Sequence, residues 1–238
     1  MYIYGEVGHK YKGVCSEFFN LYGKIVDGNQ QPTLTVGSLD IGAGTADLLI
    51  SEYSYTKGDL TTITPDPKFY DSFYFAGDDM LKALAKNVML LDEKHSAFRK
   101  ALRSLDPIQY RQKIKNFFGP DYNGQTIADR IARRDFNIQY SIPLMTYFLE
   151  LASNDSCSCI VKYDDVFKVN QPNQRVIDDF KRRMGIDITS LTWEYNKEFV
   201  ADIISKEFEP LLKKIATMFF AYSCDVILLS GRPSSLPA

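Results

Sequence analysis

The sequence has few of the side chains that most enzymes use for acid–base and metal chemistry. Only two of its 238 residues are histidines, His9 and His95. A histidine-based metal site and a catalytic triad therefore lack the residues they need, and no nucleophile elbow is present. The four cysteines have neither zinc-ribbon spacing nor the two-residue gap of a redox pair, so we expect reduced, partly buried thiols. They are Cys15, Cys157, Cys159 and Cys224.

A long apolar run is also absent. The most apolar stretch, residues 215–229, is interrupted by Ser223 and Asp225. It is shorter than the roughly 20 residues that a membrane-spanning helix requires. The N-terminal residues contain no apolar core of a signal peptide. We therefore expect a cytoplasmic protein without a membrane-spanning segment.

Charge of one sign is not in excess, because the formal net charge is −2. Nucleic-acid binding rewards a large positive surface, so we expect no nucleic-acid partner. The aromatic residues, 16 Phe and 15 Tyr, are spread along the chain, which is typical of a core rather than a base-stacking platform. A chain of this length can bury the core of one large domain or two smaller ones.

Two common phosphate-binding motifs are missing. The dinucleotide fingerprint needs a third glycine opening a helix. Here Asp47 stands in that position and a strand-like run follows. The P-loop fails as well, because Gly23-Lys24 is followed by Ile25 and Phe18 stands where the first glycine is required.

Alternating apolar residues predict a strand at 34–41 and a second at 46–54, followed by hairpin-linked strands at 60–64 and 69–75. Asp78 is predicted to be the N-cap of the next helix. Residues 93–155 have a helical pattern and are rich in Lys and Arg up to Arg134. Strands at both ends of the chain with helices between them predict a sheet-containing core and an inserted helical subdomain.

Five further elements are predicted, one near the N-terminus and four in the later part of the chain. A helix is expected at 13–23, a strand at 160–168, and a helix at 174–184 that Gly185 ends. A long helix is expected at 196–222, with a kink or break at Pro210. A buried strand follows at 225–229.

The segment between the first two strands contains two glycines, Gly42 and Gly44. Bare backbone there lets amide groups approach an anion, and the Thr45 hydroxyl can add a hydrogen bond. Asp40 can hold Mg²⁺ through water, and Asp47 can serve the same cluster or brace the turn. An ordinary hairpin with turn glycines explains the pattern equally well.

These residues resemble the second phosphate motif of the actin-like ATPases, the group that contains actin, heat-shock chaperone ATPase domains and sugar kinases. That motif is Asp-φ-Gly-Gly-Gly-Thr-x-Asp, with φ apolar. Ala43 replaces one of its glycines. The positions that match are Asp40, Gly42, Gly44, Thr45 and Asp47.

Two more segments resemble motifs of the same group, in the same order. Gly77-Asp78-Asp79 is similar to the Gly-Gly-(Glu/Asp)-Asp that opens a helix after the strands. The run 226–237 is similar to the adenosine motif, in which Gly231 and Pro237 match and Arg232 replaces a second glycine. The ending Ser-Gly-Arg-Pro-Ser-x-Leu-Pro also resembles bacterial proteins of the virulence factor SrfB family.

The resemblance implies an α/β, ribonuclease-H-like lobe with a mixed sheet, formed by 1–92 and 196–238, with 93–195 as the inserted helical subdomain. It also implies that residues 34–54 and 225–230 lie in one sheet, with residues 42–44 close to Gly231. It implies ATP and Mg²⁺ as ligands. Asp40 would position the metal or the attacking water, and Asp47 would hold Mg²⁺ through water. The phosphates would lie against residues 42–45, with Gly77 and Asp78 nearby. Gly231 and Arg232 would flank adenosine.

No segment before residue 38 resembles the first phosphate motif, so we expect the partner lobe of the ATPase to lie outside this chain. Turnover by these residues alone is then expected to be negligible, and a valine at Gly44 to block the phosphates or to require a forbidden backbone angle. A degenerate module that acts as a scaffold for an unknown protein partner is the alternative. A sugar or acetate kinase is a third, without an acceptor-site motif.

Overall fold

The computed structural model describes residues 2–11, 14–25, 31–56, 62–91, 96–121 and 124–231. These residues divide into two compact units. The sheet unit comprises the described residues up to Asp78 and from Phe208 onward, and the helical unit comprises those of Asp79–Glu207. The prediction that residues 93–195 form an insertion stays a prediction, because compactness does not reveal how a domain arose.

The strands are β1 (Leu34–Ile41), β2 (Ala46–Tyr55), β3 (Ile63–Phe73), β4 (Cys159–Lys162), β5 (Thr192–Tyr195) and β6 (Val226–Ser230). The α-helices are α1 (Tyr2–Lys10), α2 (Cys15–Tyr22), α3 (Gly77–Leu84), α4 (Ala97–Ala101), α5 (Pro107–Phe118), α6 (Ile127–Phe136), α7 (Ile142–Ser153), α8 (Tyr163–Phe167), α9 (Gln174–Met184) and α10 (Lys197–Ala221). Two π-helical segments, Ala85–Leu91 and Asn137–Ser141, follow α3 and α6. A 3₁₀ turn spans Ile188–Ser190.

The sheet unit is built on a four-stranded mixed sheet in the order β3-β2-β1-β6. Strands β1, β2 and β3 are antiparallel neighbours, whereas β6 pairs with β1 in parallel. The prediction that residues 34–54 and 225–230 share one sheet is therefore confirmed. The chain is α/β in its class.

The two separate strands predicted at 60–64 and 69–75 are wrong, because residues 63–73 form one strand, β3, which pairs along the whole of β2. Residues 60 and 61 lie outside the described residues. Pro65 and Pro67 lie between the two predicted strands. Proline cannot donate to a ladder, but an edge strand tolerates it because one side of the strand needs no partner. Within the described residues β3 is such an edge strand, since it pairs with β2 alone.

Three predictions about the helical unit and α10 have different outcomes. The helix at 174–184 is confirmed, and Gly185 ends it in the left-handed region at φ 76°. Of the kink or break predicted at Pro210, the break is wrong, because α10 continues through this residue, and the kink stays a prediction. The predicted strand at 160–168 ends at Lys162, after which α8 begins, and its partner β5 was not predicted.

The two faces of the sheet are covered in different ways. Leu34 and Val36 pack in one cluster with α1 and α2, whose buried side chains include Ile3, Val7, Phe18 and Phe19. On the opposite face, α10 approaches β1 at Gly37. A Cβ atom at Gly37 would lie 2.4 Å from Cε1 of Phe219, so only glycine fits beneath this ring.

The helical unit has an aromatic core. Phe136 and Phe180 stack with ring centroids 4.2 Å apart, and Phe98 meets the single tryptophan, Trp193, edge to face. The indole Nε1 of Trp193 donates to the buried hydroxyl of Tyr140 at 3.0 Å. Large rings whose polar atoms are paired bury much apolar area, so this cluster stabilises the unit.

Across the described ranges, no helix is both long and apolar enough to cross a membrane.

Candidate functional site

The segment between β1 and β2 forms a tight turn of four residues, 42–45. The ladder stays in register up to the pair Ile41 and Ala46. The Gly42 amide then donates to the Thr45 carbonyl at 2.8 Å, which closes the turn. The segment that resembles a phosphate-binding motif is therefore a defined hairpin turn at the end of the sheet.

The start of α3 is bonded to this turn. The Gly77 amide donates to the Gly42 carbonyl at 3.1 Å, and the Asp78 amide donates to the Ala43 carbonyl at 2.6 Å. The first amides of a helix have no partner within the helix, and here the turn supplies an acceptor for each of these two amides. Asp78 is the second residue of α3, so its prediction as the N-cap is wrong.

The end of β6 lies beside the same turn. Gly231 has φ +93°, and a Cβ atom on it would lie 2.0 Å from the Ile41 carbonyl oxygen. Glycine is required here on both counts, since side chains rarely adopt this φ and none would fit. The prediction that Gly231 comes close to the hairpin is thus confirmed. Arg232 and Pro237 lie outside the described residues.

A row of four polar side chains, which we call the polar row, crosses the sheet next to the turn. The strand register places Ser230, Asp40, Asp47 and Ser72 opposite one another on β6, β1, β2 and β3. Directly paired residues point to the same face of a sheet. The Ser230 hydroxyl donates to Oδ1 of Asp40 at 2.7 Å. Helices α1 and α2 cover this face near the start of β1 and leave Asp40 and Ser230 exposed.

The two carboxylates of the polar row have no cationic partner in the described part of the chain. Like charges directly opposite on neighbouring strands destabilise a sheet unless something compensates them. A divalent cation is one such group, because Mg²⁺ binds oxygen ligands and uses one or two carboxylates together with phosphates. No cluster of three or more His, Cys, Asp or Glu side chains occurs among the described residues. Asp40 and Asp47 are the residues of the polar row that could hold such a cation.

Gly44 is the most open position of the turn. No heavy atom lies within 4 Å of the place its Cβ would occupy, whereas a Cβ at Gly42 would lie 3.2 Å from the Thr45 carbonyl oxygen. Gly44 has no positive φ, so the expected forbidden backbone angle for valine is wrong. A Cβ atom at this position meets no protein atom, so we expect a substitution here to act on a ligand rather than on the fold.

The sequence interpretation missed three residues that the structure adds. Ser230 and Ser72 complete the polar row, and Ser230 was visible only as the last residue before the motif glycine. Asp225 joins β6 to β1 at the other end of the pair. Its Oδ2 accepts from the Thr35 amide at 2.9 Å, and Lys24 lies 2.5 Å from its Oδ1. No spacing pattern relates residues 35 and 225.

Comparison with known families decides where this chain belongs. The family model described as "Virulence factor SrfB" matches residues 1–238. The chain belongs to the SrfB family. No curated protein matches it. The SrfB assignment covers both units of the chain, including the hairpin turn, the polar row and the helical unit.

Proposed function

We propose that this SrfB-family chain carries the nucleotide-binding lobe of an ATPase of the actin-like kind, with a ribonuclease-H-like fold. One observation carries the proposal. Three sequence segments that are far apart in the chain, 40–47, 77–78 and 230–231, meet at one end of one sheet. The resemblance requires its phosphate hairpin, helix start and adenosine strand to be neighbours, and these segments are.

The phosphates of ATP would bind at the turn. The open side of Gly44 leaves room for an anion. Ala43 and Gly44 are both exposed, so an anion could reach the backbone there. The Thr45 hydroxyl would add a donor. The amides of Gly77 and Asp78 already donate to the turn, so they would hold its shape rather than bind phosphate.

The polar row would hold Mg²⁺. Asp40 and Asp47 face each other across β1 and β2, and Ser230 fixes one oxygen of Asp40. The other oxygen of Asp40 stays available for a metal-bound water or for the attacking water. Magnesium, when bound, would neutralise charge on the phosphates. Adenosine would lie along Gly231 and Arg232.

A second lobe outside this chain would close the cleft. Half of a cleft leaves the phosphates in water and lacks half of the groups that stabilise the transition state. We therefore expect weak ATP binding and negligible turnover by these 238 residues.

A protein-interaction scaffold is the second candidate, and one observation favours it. Ile227 and Leu229 on β6 are half exposed or more, and β6 pairs on one side only within the described residues. An apolar edge strand is suited to contact with another protein. In that case the hairpin would be an inherited part of the fold.

The binding test uses Gly44→Val. Melting temperature and calorimetric binding are measured with millimolar ATP, with and without Mg²⁺. The wild-type chain is expected to melt at a higher temperature with MgATP, and Gly44→Val to lose this shift while melting normally without ligand.

In full-length protein, Asp40→Ala should lower kcat by about 10² or more and change ATP affinity much less.

Asp71→Asn is the matched control. It removes a carboxylate from the same sheet, on β3 opposite Leu48 and therefore on the face away from the polar row. It should keep the MgATP shift. A wild-type chain that folds and shows no Mg²⁺-dependent nucleotide shift would reject the ATPase proposal in favour of the scaffold.

A further inference from the structure

The helical unit contains an arginine-lined cavity that the proposed function does not use. Its volume is about 370 Å³, and three arginines of α6 line it: Arg130, Arg133 and Arg134. The stretch from Arg99 to Arg134 has nine Lys or Arg against three Asp or Glu. This local excess of positive charge contrasts with the net charge of −2 for the chain. We call this the arginine cavity.

The arginines differ in how their charge is compensated. Arg133 lies 3.1 Å from Asp121 and also donates to the Gly119 carbonyl. Arg134 pairs with its chain neighbour Asp135 at 3.0 Å. Arg130 forms no ion pair among the described residues. Among the described residues that line the cavity Asp121 is the one carboxylate, and together with Asp135 two carboxylates compensate the three arginines.

Aromatic rings form the apolar part of the same wall. Phe117 and Phe136 are buried, and Phe118 is half buried beside them. Phe118 and Phe136 have ring centroids 5.8 Å apart and meet edge to face. Guanidinium groups and ring surface are therefore presented to one space, and that space is as large as a small-molecule site.

The backbone at the cavity is also irregular. Asn137 lines the cavity and is the first residue of the π-helical segment Asn137–Ser141. Such segments inside helices occur frequently at functional sites. This irregularity is independent of the charge count.

We propose that the arginine cavity binds a phosphate monoester carried on a planar ring. The planar guanidinium group matches phosphate oxygens two at a time, which a lysine cannot do. Arg130 supplies the uncompensated charge, Arg133 is held in place by Gly119, and the Phe118 ring receives the planar group. A nucleoside monophosphate and a phosphotyrosine side chain both present this chemistry.

Phenyl phosphate is the first probe, with inorganic phosphate and phenol as its two halves. Calorimetry on the wild-type chain is expected to show saturable binding of phenyl phosphate, and at least about tenfold weaker binding of each half. Arg130→Gln should lower the affinity for phenyl phosphate by about tenfold or more, and Arg130→Lys should lower this affinity less. Equal binding of inorganic phosphate would overturn the role of the ring, and no saturable binding would overturn the site.

Three controls test whether binding is specific to the arginine cavity. Arg111→Gln removes the same charge from α5 without touching the cavity and should change the affinity by less than about twofold. Gly44→Val should leave it unchanged, so the hairpin site and this one fail separately. Binding that weakens equally in Arg111→Gln and Arg130→Gln would reject a specific cavity. Trp193 fluorescence verifies that the helical unit of each variant is folded.

Two further ligands identify the source of the phosphate. Adenosine monophosphate and a phosphotyrosine peptide are compared by the same titration on wild type and on Arg130→Gln. The ligand whose affinity falls in the variant is the one the cavity takes. The proposal is wrong if phenyl phosphate does not bind and if the affinities of both further ligands are the same in wild type and Arg130→Gln.

Discussion

The sheet unit and the helical unit are stabilised by different devices. In the sheet unit, backbone approaches closely at two glycines: Gly37 lies under the ring of Phe219, and Gly231 lies against the Ile41 carbonyl. In the helical unit, large rings fill the interior around Phe98, Phe136 and Trp193. One unit depends on the absence of side chains at defined points, whereas the other depends on their bulk.

The difference also separates two kinds of candidate site. At the polar row, backbone register across four strands places two carboxylates side by side. At the arginine cavity, side chains of one helix and its neighbours create the surface. The spacing of the side chains in the polar row is set by the sheet ladder, whereas the spacing around the arginine cavity is set by packing between helices. Mutations should therefore affect the two units unequally.

The largest effect is expected from Phe136→Ala in the helical unit. It removes a ring that is 1% exposed and stacked on Phe180, at a cost of about 3–5 kcal/mol in the free energy of unfolding. Trp193, the only tryptophan, lies in the same unit, so its fluorescence during denaturation reports the loss. Ile127→Ala on the same helix, 77% exposed, is the control and should cost little. Equal effects of the two would contradict an aromatic core.

Gly37→Val is the corresponding change in the sheet unit. The new side chain would collide with Phe219 and approach the Cys224 sulfur, which a Cβ atom alone would reach at 3.2 Å. We expect a cost of up to about 3 kcal/mol, measured by hydrogen exchange of β1 peptides. The double variant Gly37→Val/Phe219→Leu should recover part of it. If the second change gives no recovery, the ring does not set the requirement for glycine.

Asp225→Ala tests how β6 is held to β1. The variant leaves the Thr35 amide without its acceptor in a part-buried place, which should cost about 1–3 kcal/mol. Exchange of β6 amides should rise more than exchange in β2. Lys24→Gln serves as the comparison, because Lys24 is 63% exposed and its loss leaves the bond from the Thr35 amide to Asp225 intact, so it should cost less than loss of the carboxylate. A larger effect from Lys24 than from Asp225 would contradict this role of the Asp225 carboxylate.

The smallest effect concerns acid and the start of α6. Hydrogen bonds from the Thr126 hydroxyl and amide, together with Arg183, lower the pKa of Asp129 to about 2 from its usual 3.8. A lowered carboxylate pKa stabilises the folded state above the unfolded pKa. This contribution is therefore present at neutral pH and is lost as the pH falls from about 4 to about 2.

Asp129→Asn should remove this pH dependence and cost less than about 1 kcal/mol at pH 7, because the side chain is partly exposed. Thermal melts of both proteins between pH 2 and pH 7 measure the difference. Curves that stay parallel throughout this range would show that the Asp129 carboxylate does not contribute in this way.

Local signals in the sequence were sufficient for several elements. The β1 segment alternates strongly enough to be predicted at its observed bounds, and Gly185 marks the end of α9 because a left-handed residue is needed there. The hairpin glycines and Asp40 were also found from the sequence. In each case the deciding physical preference lies within a few residues of the element.

Other features depended on residues that are distant in the chain. The 2.7 Å bond from Ser230 to Asp40 and the pairing of β4 with β5 join segments whose sequences contain no sign of each other. The continuity of β3 through two prolines depends on its place at the edge of the sheet. The sequence determined the motifs and the helices α2, α3, α9 and α10, because those follow from local backbone preference. Only the tertiary structure decided which of their side chains meet, because register and packing are set by contacts across the fold.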